Sequence, residues 1–191
     1  MEGQVYPTYK IVALRDELSA LGVDSQALFE GTGIDPGTIE SSITRISQQQ
    51  LISAYVNAVS LSPTPGLGLT AGKRLRLSAY GMYGYALVTS ANLREALEFS
   101  IRYHELATPT VRMSLRLDDD DGQAIFAMED SLNQAALIPF NLELQFSLVL
   151  SLFRDMVGEA FFFDSIAATY STPEYSKLYQ DLFACPVAFD Q

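Results

Sequence analysis

The sequence predicts an α+β fold: a mostly helical domain with a small antiparallel sheet, formed by a hairpin over about 110–129 and a strand over about 161–169, packed against the helices. Three observations predict it. Apolar residues recur at helical spacing before residue 108 and again over 138–157 and 169–183; the period changes from 3.6 to 2 after Pro109; and caps, glycines and prolines bound each run. The 191 residues suit one domain, 1–191, divisible into a helical portion over 1–107 and a sheet-containing portion over 108–191. Hydrophobic residues are 48% and charged residues 18%, below the roughly 25% of an average soluble protein, so a sizeable core is available.

The elements follow in order. Tyr9, Val12, Leu14, Leu18 and Leu21 trace a first helix over 8–21, which Gly22 ends, and Asp24 caps a short helix over Ser25–Glu30. Gly31-Thr32-Gly33 and Asp35-Pro36-Gly37 punctuate a loop. Ser47 and Gln50 fit a capping box that opens a helix to about Ser60, burying Leu51, Tyr55, Val59 and Ile52, with Pro63 and Pro65 as stops. Short helices are expected over Gly66–Lys73 and Tyr80–Ser90, and a second capping box at Asn92–Glu95 opens a helix that ends near His104 or Glu105. Val111, Met113, Leu115 and Leu117 alternate with Arg112, Ser114 and Arg116 as a half-buried strand. Asp121-Gly122 turns the chain, and Gln123–Glu129 returns as its partner. Ile138–Val157 is a long helix and Phe161–Thr169 a third strand. The last helix is expected over Thr169–Phe183, with Ser171 or Thr172 as cap, Pro173 in its first turn, and a stripe of Tyr175, Leu178, Tyr179 and Leu182.

Charge and cysteine content exclude several functions. The net charge is −11; residues 1–117 sum to zero, and residues 118–191 carry thirteen acids against Arg154 and Lys177. Such a chain has no basic stripe for nucleic acid. Cys185 is the lone cysteine, so an internal disulfide and a cysteine metal site are excluded, and a reducing cytoplasm is the expected location. The start MEGQVYPTYK has no signal-peptide pattern, and the charge-free windows Tyr55–Gly72 and Leu77–Leu93 are broken by prolines, glycines and hydroxyls, so no membrane span is expected.

Catalytic motifs are absent, and an enzyme is not expected. Gly31-Thr32-Gly33 lacks the Lys-Ser/Thr of a phosphate loop, Thr89-Ser90 has no nearby base, and one histidine cannot furnish a metal cluster. Asp119, Asp120 and Asp121 read as a solvated hairpin tip or, alternatively, a calcium site. The tyrosines at 80, 83 and 85, beside Gly81 and Gly84, suit a packed core seam or a pocket wall. Arg112 and Arg116 share one strand face; solvent or a carboxylate partner accounts for them, and so does an anionic ligand if helices cover that face. The long helix has a stripe of Leu142, Phe146, Val149, Phe153 and Met156 assigned to the core, and a second of Leu144, Leu148 and Leu152 that is either core or a homodimer contact.

Two resemblances bear on function. The order helix–His104–hairpin–helix–strand is similar to that of haem-based nitric-oxide sensor domains, but Met128-Glu129-Asp130-Ser131-Leu132 lacks their Tyr-x-Ser-x-Arg signature. The runs Leu67-Gly68-Leu69, Gly72-Lys73-Arg74-Leu75, Tyr80–Ser90, Leu93–Leu97 and Arg102-Tyr103, with the pattern over 18–36 and Tyr179–Phe189, resemble the N-terminal arabinose-binding-like domain of AraC-type regulators, in the ornithine-utilisation branch. The resemblance covers nearly the whole chain. It implies an effector-sensing and dimerising domain of a bacterial transcriptional regulator, with a helix-turn-helix DNA-binding domain expected after Gln191. Partners are then a small-molecule effector, a second copy of the chain, and DNA through the absent domain alone, with no cofactor and no metal. Chemistry nominates Tyr80, Tyr83, Tyr85, Arg102, His104, Arg112 and Phe126 as ligand-binding residues, the arginines for an anionic group and the rings for an apolar body. The alternatives are an interaction module without a small ligand and a haem or gas sensor through His104.

Overall fold

Side-chain caps set where several helices begin. In the computed structural model, which describes residues 6–118 and 122–191 and only the backbone of Asp118, β1 (Tyr6–Pro7) leads into α1 (Tyr9–Ala20), and Gly22 turns the chain away at φ 78°. Asp24 accepts a hydrogen bond from Gln26 N at 3.0 Å and starts the 3-10 turn Ser25–Phe29. β2 (Arg45–Ile46) pairs antiparallel with β1. The capping box of α2 (Gln48–Leu61) is complete: Gln50 N donates to Ser47 Oγ at 3.2 Å and Ser47 N to Gln50 Oε1 at 2.9 Å. Then come α3 (Leu67–Gly72), a 3-10 turn over Leu77–Tyr80, α4 (Gly81–Val88) and α5 (Leu93–Ala107). Only half of the box expected at α5 forms. Glu95 N donates to Asn92 Oδ1 at 3.0 Å, but the Glu95 carboxylate meets the Asn92 side-chain amide instead of its backbone.

β3 (Val111–Asp118) and β4 (Gln123–Asp130) pair antiparallel along their full length, from Val111 opposite Asp130 to Asp118 opposite Gln123. The expected hairpin tip at Asp119–Asp121, with its solvated and calcium-binding readings, lies outside the described residues. α6 (Ile138–Val157) follows, then β5 (Ile166–Ala167), α7 (Lys177–Phe183) and β6 (Val187–Ala188). The fold is α+β, as the periodicities predict.

Its C-terminal quarter departs from expectation. The strand expected over 161–169 narrows to two residues and pairs parallel with β6, not with the hairpin. Phe161 and Phe163 are the reason: their rings pack against Phe153 of α6 at 4.8 Å and 6.0 Å, which takes that segment out of any ladder. α7 starts at Lys177, eight residues after the expected start, because the residue before Pro173 is kept out of the helical region and a turn over residues 174–176 intervenes. That turn and helix supply the crossover a parallel pair needs. Within α2, Val59 faces solvent, and Ala54 and Ala58 take the buried positions beside Leu51 and Tyr55.

α6 is the centre of the molecule. Leu144, Leu148 and Leu152 are 0%, 1% and 9% exposed and belong to the main core. The expectation that this stripe meets a second copy is corrected: the stripe is buried inside the chain, in the main core to which α1, α2 and α3 also contribute. Residues 135–157 are long and apolar enough to cross a membrane, and 78% of their most apolar stretch is buried here. α3 lies directly on α6. A Cβ built at Gly68 would stand 2.5 Å from Phe140 O, and one at Gly72 2.5 Å from Ser147 Cβ and 2.6 Å from Leu144 O. Ser147 Oγ donates to Leu69 O at 2.5 Å across the same seam.

Because backbone atoms block both positions, Gly72→Ala is expected to destabilise the fold by about 1–3 kcal/mol, despite alanine's better helix propensity. Urea unfolding checks it. Unchanged or raised stability would mean that α3 does not sit this close to α6.

Candidate ligand site

The four elements α4, α5, the β3–β4 hairpin and α6 enclose an apolar cavity. Tyr83 and Leu87 come from α4, Ala96, Leu97 and Ser100 from α5, and Met113 and Phe126 from the hairpin. α6 supplies Leu148, Val149, Leu152, Phe153 and Met156, and Tyr80 closes one end. Each wall is placed by a contact already set in the fold. The turn bearing Tyr80 is held to α6 because Asp155 Oδ2 accepts from Leu77 N at 2.8 Å and the same carboxylate pairs with Arg76. Tyr83 is fixed to α5 by donating to Ser100 O at 3.2 Å, and burial pushes its phenol pKa up. The free volume is about 30 Å³. That holds a water molecule or two and is far below the roughly 300–1,000 Å³ of a pocket for a drug-sized ligand, so admitting one requires the walls to part.

Polar groups lie beside this apolar space. Thr108 lines the cavity, and its Oγ1 is buried without a hydrogen-bond partner among the described residues; so are Tyr80 Oη and His104 Nε2. Two residues beyond Thr108, Thr110 Oγ1 accepts from Lys10 Nζ at 3.1 Å and from Gln145 Nε2 at 3.0 Å. Asn141 Nδ2 donates to Thr110 O at 2.9 Å and to Asp130 Oδ1 at 2.6 Å. Asn141 and Gln145 sit on the face of α6 that continues as Leu148 and Leu152, so one stripe runs from amides to leucines. Lys10 is 3% exposed and has no carboxylate partner among the described residues. Burial pushes its ammonium pKa down to about 7.

The residues nominated from sequence divide into three groups. Tyr80, Tyr83 and Phe126 line the cavity. Arg102 lies instead in an open surface groove with Glu98, Ile101, Leu115 and Leu117, and His104 is held at the end of α5, its Nδ1 2.7 Å from Ile101 O. Tyr85 and Arg112 are off the cavity: Tyr85 points to solvent from the outer face of α4, and Arg112 meets Glu129 across the exposed hairpin face at 3.2 Å. No helix covers that face, so Arg112 needs no buried anion. Lys10, Thr108, Thr110, Asn141 and Gln145 were not nominated. Their signal was available as polar residues at core positions: Lys10 shares the buried face of α1 with Ala13, Leu14 and Leu18, and Gln145 precedes Leu148 and Leu152 at helical spacing.

Comparison with known proteins agrees with this architecture. Residues 22–191 match the family described as the N-terminal arabinose-binding domain of AraC transcription regulators. The chain is 30% identical over 188 residues to an ornithine utilization regulator of Pseudomonas aeruginosa, covering 98% of this chain and 55% of that protein. It is 27% identical over 117 residues to an HTH-type transcriptional regulator of Mycobacterium tuberculosis, covering 61% of this chain and 34% of the relative. The crystal structure of the transcriptional regulator CdpR from Pseudomonas aeruginosa superposes with a TM-score of 0.66 at 20% identity, over 95% of this chain and 51% of that one. The chain thus spans about half the length, or less, of the relatives it matches.

Lys10 makes the stability of the fold sensitive to pH. Its folded pKa of about 7 lies below the ordinary 10.5, so between these values the unfolded chain holds a proton that the folded chain lacks. Wild-type stability therefore gains from rising pH across that window, and below it the full cost of the buried charge is present. Lys10→Met is expected to stabilise the fold by about 1–3 kcal/mol at pH 7, with an advantage that shrinks toward pH 10. Urea titrations of both chains at pH 6, 7, 8 and 9 check the sign and the trend.

Proposed function

The chain belongs to the N-terminal arabinose-binding domain family of AraC transcription regulators, and from that premise we propose that it senses a small molecule in the cavity between α4, α5, the hairpin and α6. The observation that carries the reading is the junction of an apolar, four-walled cavity with buried, unsatisfied polar groups; such convergence of an apolar wall and a few polar atoms is what small-molecule sites have in common. The mechanism is a population shift. An effector that occupies the cavity has differential affinity for an arrangement with parted walls, and it biases the domain toward that arrangement.

A chain of rings supports a route outward. Phe153, in the cavity wall, contacts Phe161, then Phe163, then Phe183 of α7, at centroid distances of 4.8, 5.3 and 6.3 Å. β5 and β6 bracket α7, so displacement of Phe153 reaches the C-terminal strand through contiguous packing. In the full-length regulator this strand precedes a helix-turn-helix domain, whose affinity for DNA in the cytoplasm is the output. The test is a thermal-shift screen of small metabolites against the chain and the cavity-filling variant Ala96→Phe, with Arg112→Ala, off the cavity, as a control. A ligand is expected to raise the Tm of the wild type and the control but not of Ala96→Phe. A ligand whose effect survives Ala96→Phe binds elsewhere.

Self-association is the second reading, favoured by one observation. Met82, Tyr85 and Val88 leave an apolar strip on the outer face of α4, at 81%, 64% and 60% exposure. With the leucine stripe of α6 in the core, this is the surface on which a homodimer would form. Light scattering is expected to give twice the chain mass for the wild type and the chain mass for Val88→Glu; a monomeric wild type removes this reading.

A further inference from the structure

The walls of the cavity limit the kind of molecule it takes. Among the described residues, none that lines it is an acid, a base or the histidine. Charged groups near it in sequence are committed elsewhere. Asp155, next to Met156, accepts from Leu77 N and pairs with Arg76. Glu98 and Arg102 line the separate open groove, and Lys10, though buried, is not part of the wall. An ion entering this space would shed its water and meet no countercharge.

The polar side chains of the wall are all hydroxyls, and two of them are already engaged. Ser100 Oγ donates to Leu97 O at 2.8 Å, and Tyr83 Oη donates to Ser100 O. Tyr80 Oη and Thr108 Oγ1 are buried without a partner among the described residues, in side chains belonging to residues only 6% and 4% exposed. Each can donate one hydrogen bond and accept others. Burial holds the Tyr80 phenol pKa well above its ordinary value, so it stays neutral at physiological pH. The remaining wall is apolar and adaptable. Met113 and Met156 can re-pack around a guest, and the rings of Phe126 and Phe153 stand edge to face at 6.4 Å.

We infer that the effector is an uncharged, largely apolar molecule carrying one or two hydroxyl or carbonyl groups, whose hydrogen bonds are made to the hydroxyls of Tyr80 and Thr108. The inference rests on the reading of the cavity as the effector site and adds the class of its ligand. A carboxylate, an amine or a zwitterion would bring charge into a wall that has none. A polyol would bring more hydroxyls than two free partners can satisfy, and each one left over weakens binding. A hydrocarbon would leave both protein hydroxyls unpaired.

The experiment is a methyl NMR titration of the 191-residue chain at pH 7 with phenol, benzene, benzoate, benzylamine and the polyol myo-inositol. It reads the methyl groups of Met113 and Met156 in the cavity wall. Phenol is expected to bind, with benzoate, benzylamine and myo-inositol at least about tenfold weaker. Tyr80→Phe and Thr108→Val each remove an unpartnered hydroxyl with little change of shape. At least one of them is expected to weaken phenol by about two- to tenfold while leaving benzene unchanged. If one variant does not fold, the other decides together with the wild-type order of the ligands. If benzoate, benzylamine or myo-inositol binds as tightly as phenol, the inference is overturned and the effector-site reading stands. The same holds if the variants bind phenol as the wild type does, or lose benzene in equal measure. If none of the five compounds moves either methyl group, both fall.

Discussion

The close approach of α3 to α6 is the constraint on which the rest of the structure depends. Gly68 and Gly72, one turn apart, present no side chain to the seam, so the α3 backbone approaches α6 at Phe140 O and Leu144 O. This brings α6 to the centre and buries it on several sides at once. With α3 on one side and the hairpin with α5 on another, the helix has no face left for water except near its C-terminus. Its polar residues are then forced into the interior, and each must find partners there or remain unsatisfied.

Two buried ionisable groups, one on α6 and one on α1, are treated in opposite ways. Glu143 is buried on α6 and accepts hydrogen bonds from Tyr175 Oη at 2.7 Å and Tyr179 Oη at 2.6 Å, and Tyr170 joins Tyr179 at 2.8 Å. Burial pushes its pKa up, and the two phenols oppose that push. This carboxylate is satisfied, and it ties the C-terminal segment to the core helix. Lys10, across the helix, has one neutral partner and no countercharge among the described residues. A structure that needed only stability would place an apolar side chain there. Retaining a buried lysine with a single neutral partner lowers stability, and such perturbed ionisable groups are found preferentially at functional sites.

The small free volume of the cavity fits a sensor better than a fixed receptor. A domain with a preformed pocket would bind with little rearrangement and so would have little to transmit. Here the walls come from four elements, two of which, α4 and the hairpin, are held to the core through few buried contacts, so parting them costs less than moving α3 or α1. The aromatic sequence from Phe153 to Phe183 gives that motion neighbours that are already packed.

Local signals were legible wherever a helix end or a turn is governed by its own residues. Ser47 and Gln50 cap α2, Asp24 caps its 3-10 turn, Gly22 ends α1, and alternation after Pro109 marks the hairpin, because each depends on atoms a few residues apart. Family membership was legible for the same reason, in short runs such as Tyr80–Ser90. What lay out of reach depends on contacts between distant segments. Phe161 and Phe163 look like strand residues until Phe153 is there to receive them, and the leucines of α6 look equally suited to a partner chain until α3 covers them. The seven nominated ligand residues show the limit clearly. Tyr80, Tyr83 and Phe126 came together, whereas Tyr85 and Arg112 turned outward, because the period of one element says which residues share a face but not which face another element will cover. By itself the sequence determined the elements, the fold class and the family. Only the tertiary structure decided that Lys10 of the first helix would stand beside Thr110 and Gln145, a hundred and more residues away, since burying a charge is a property of the assembled core and not of any segment.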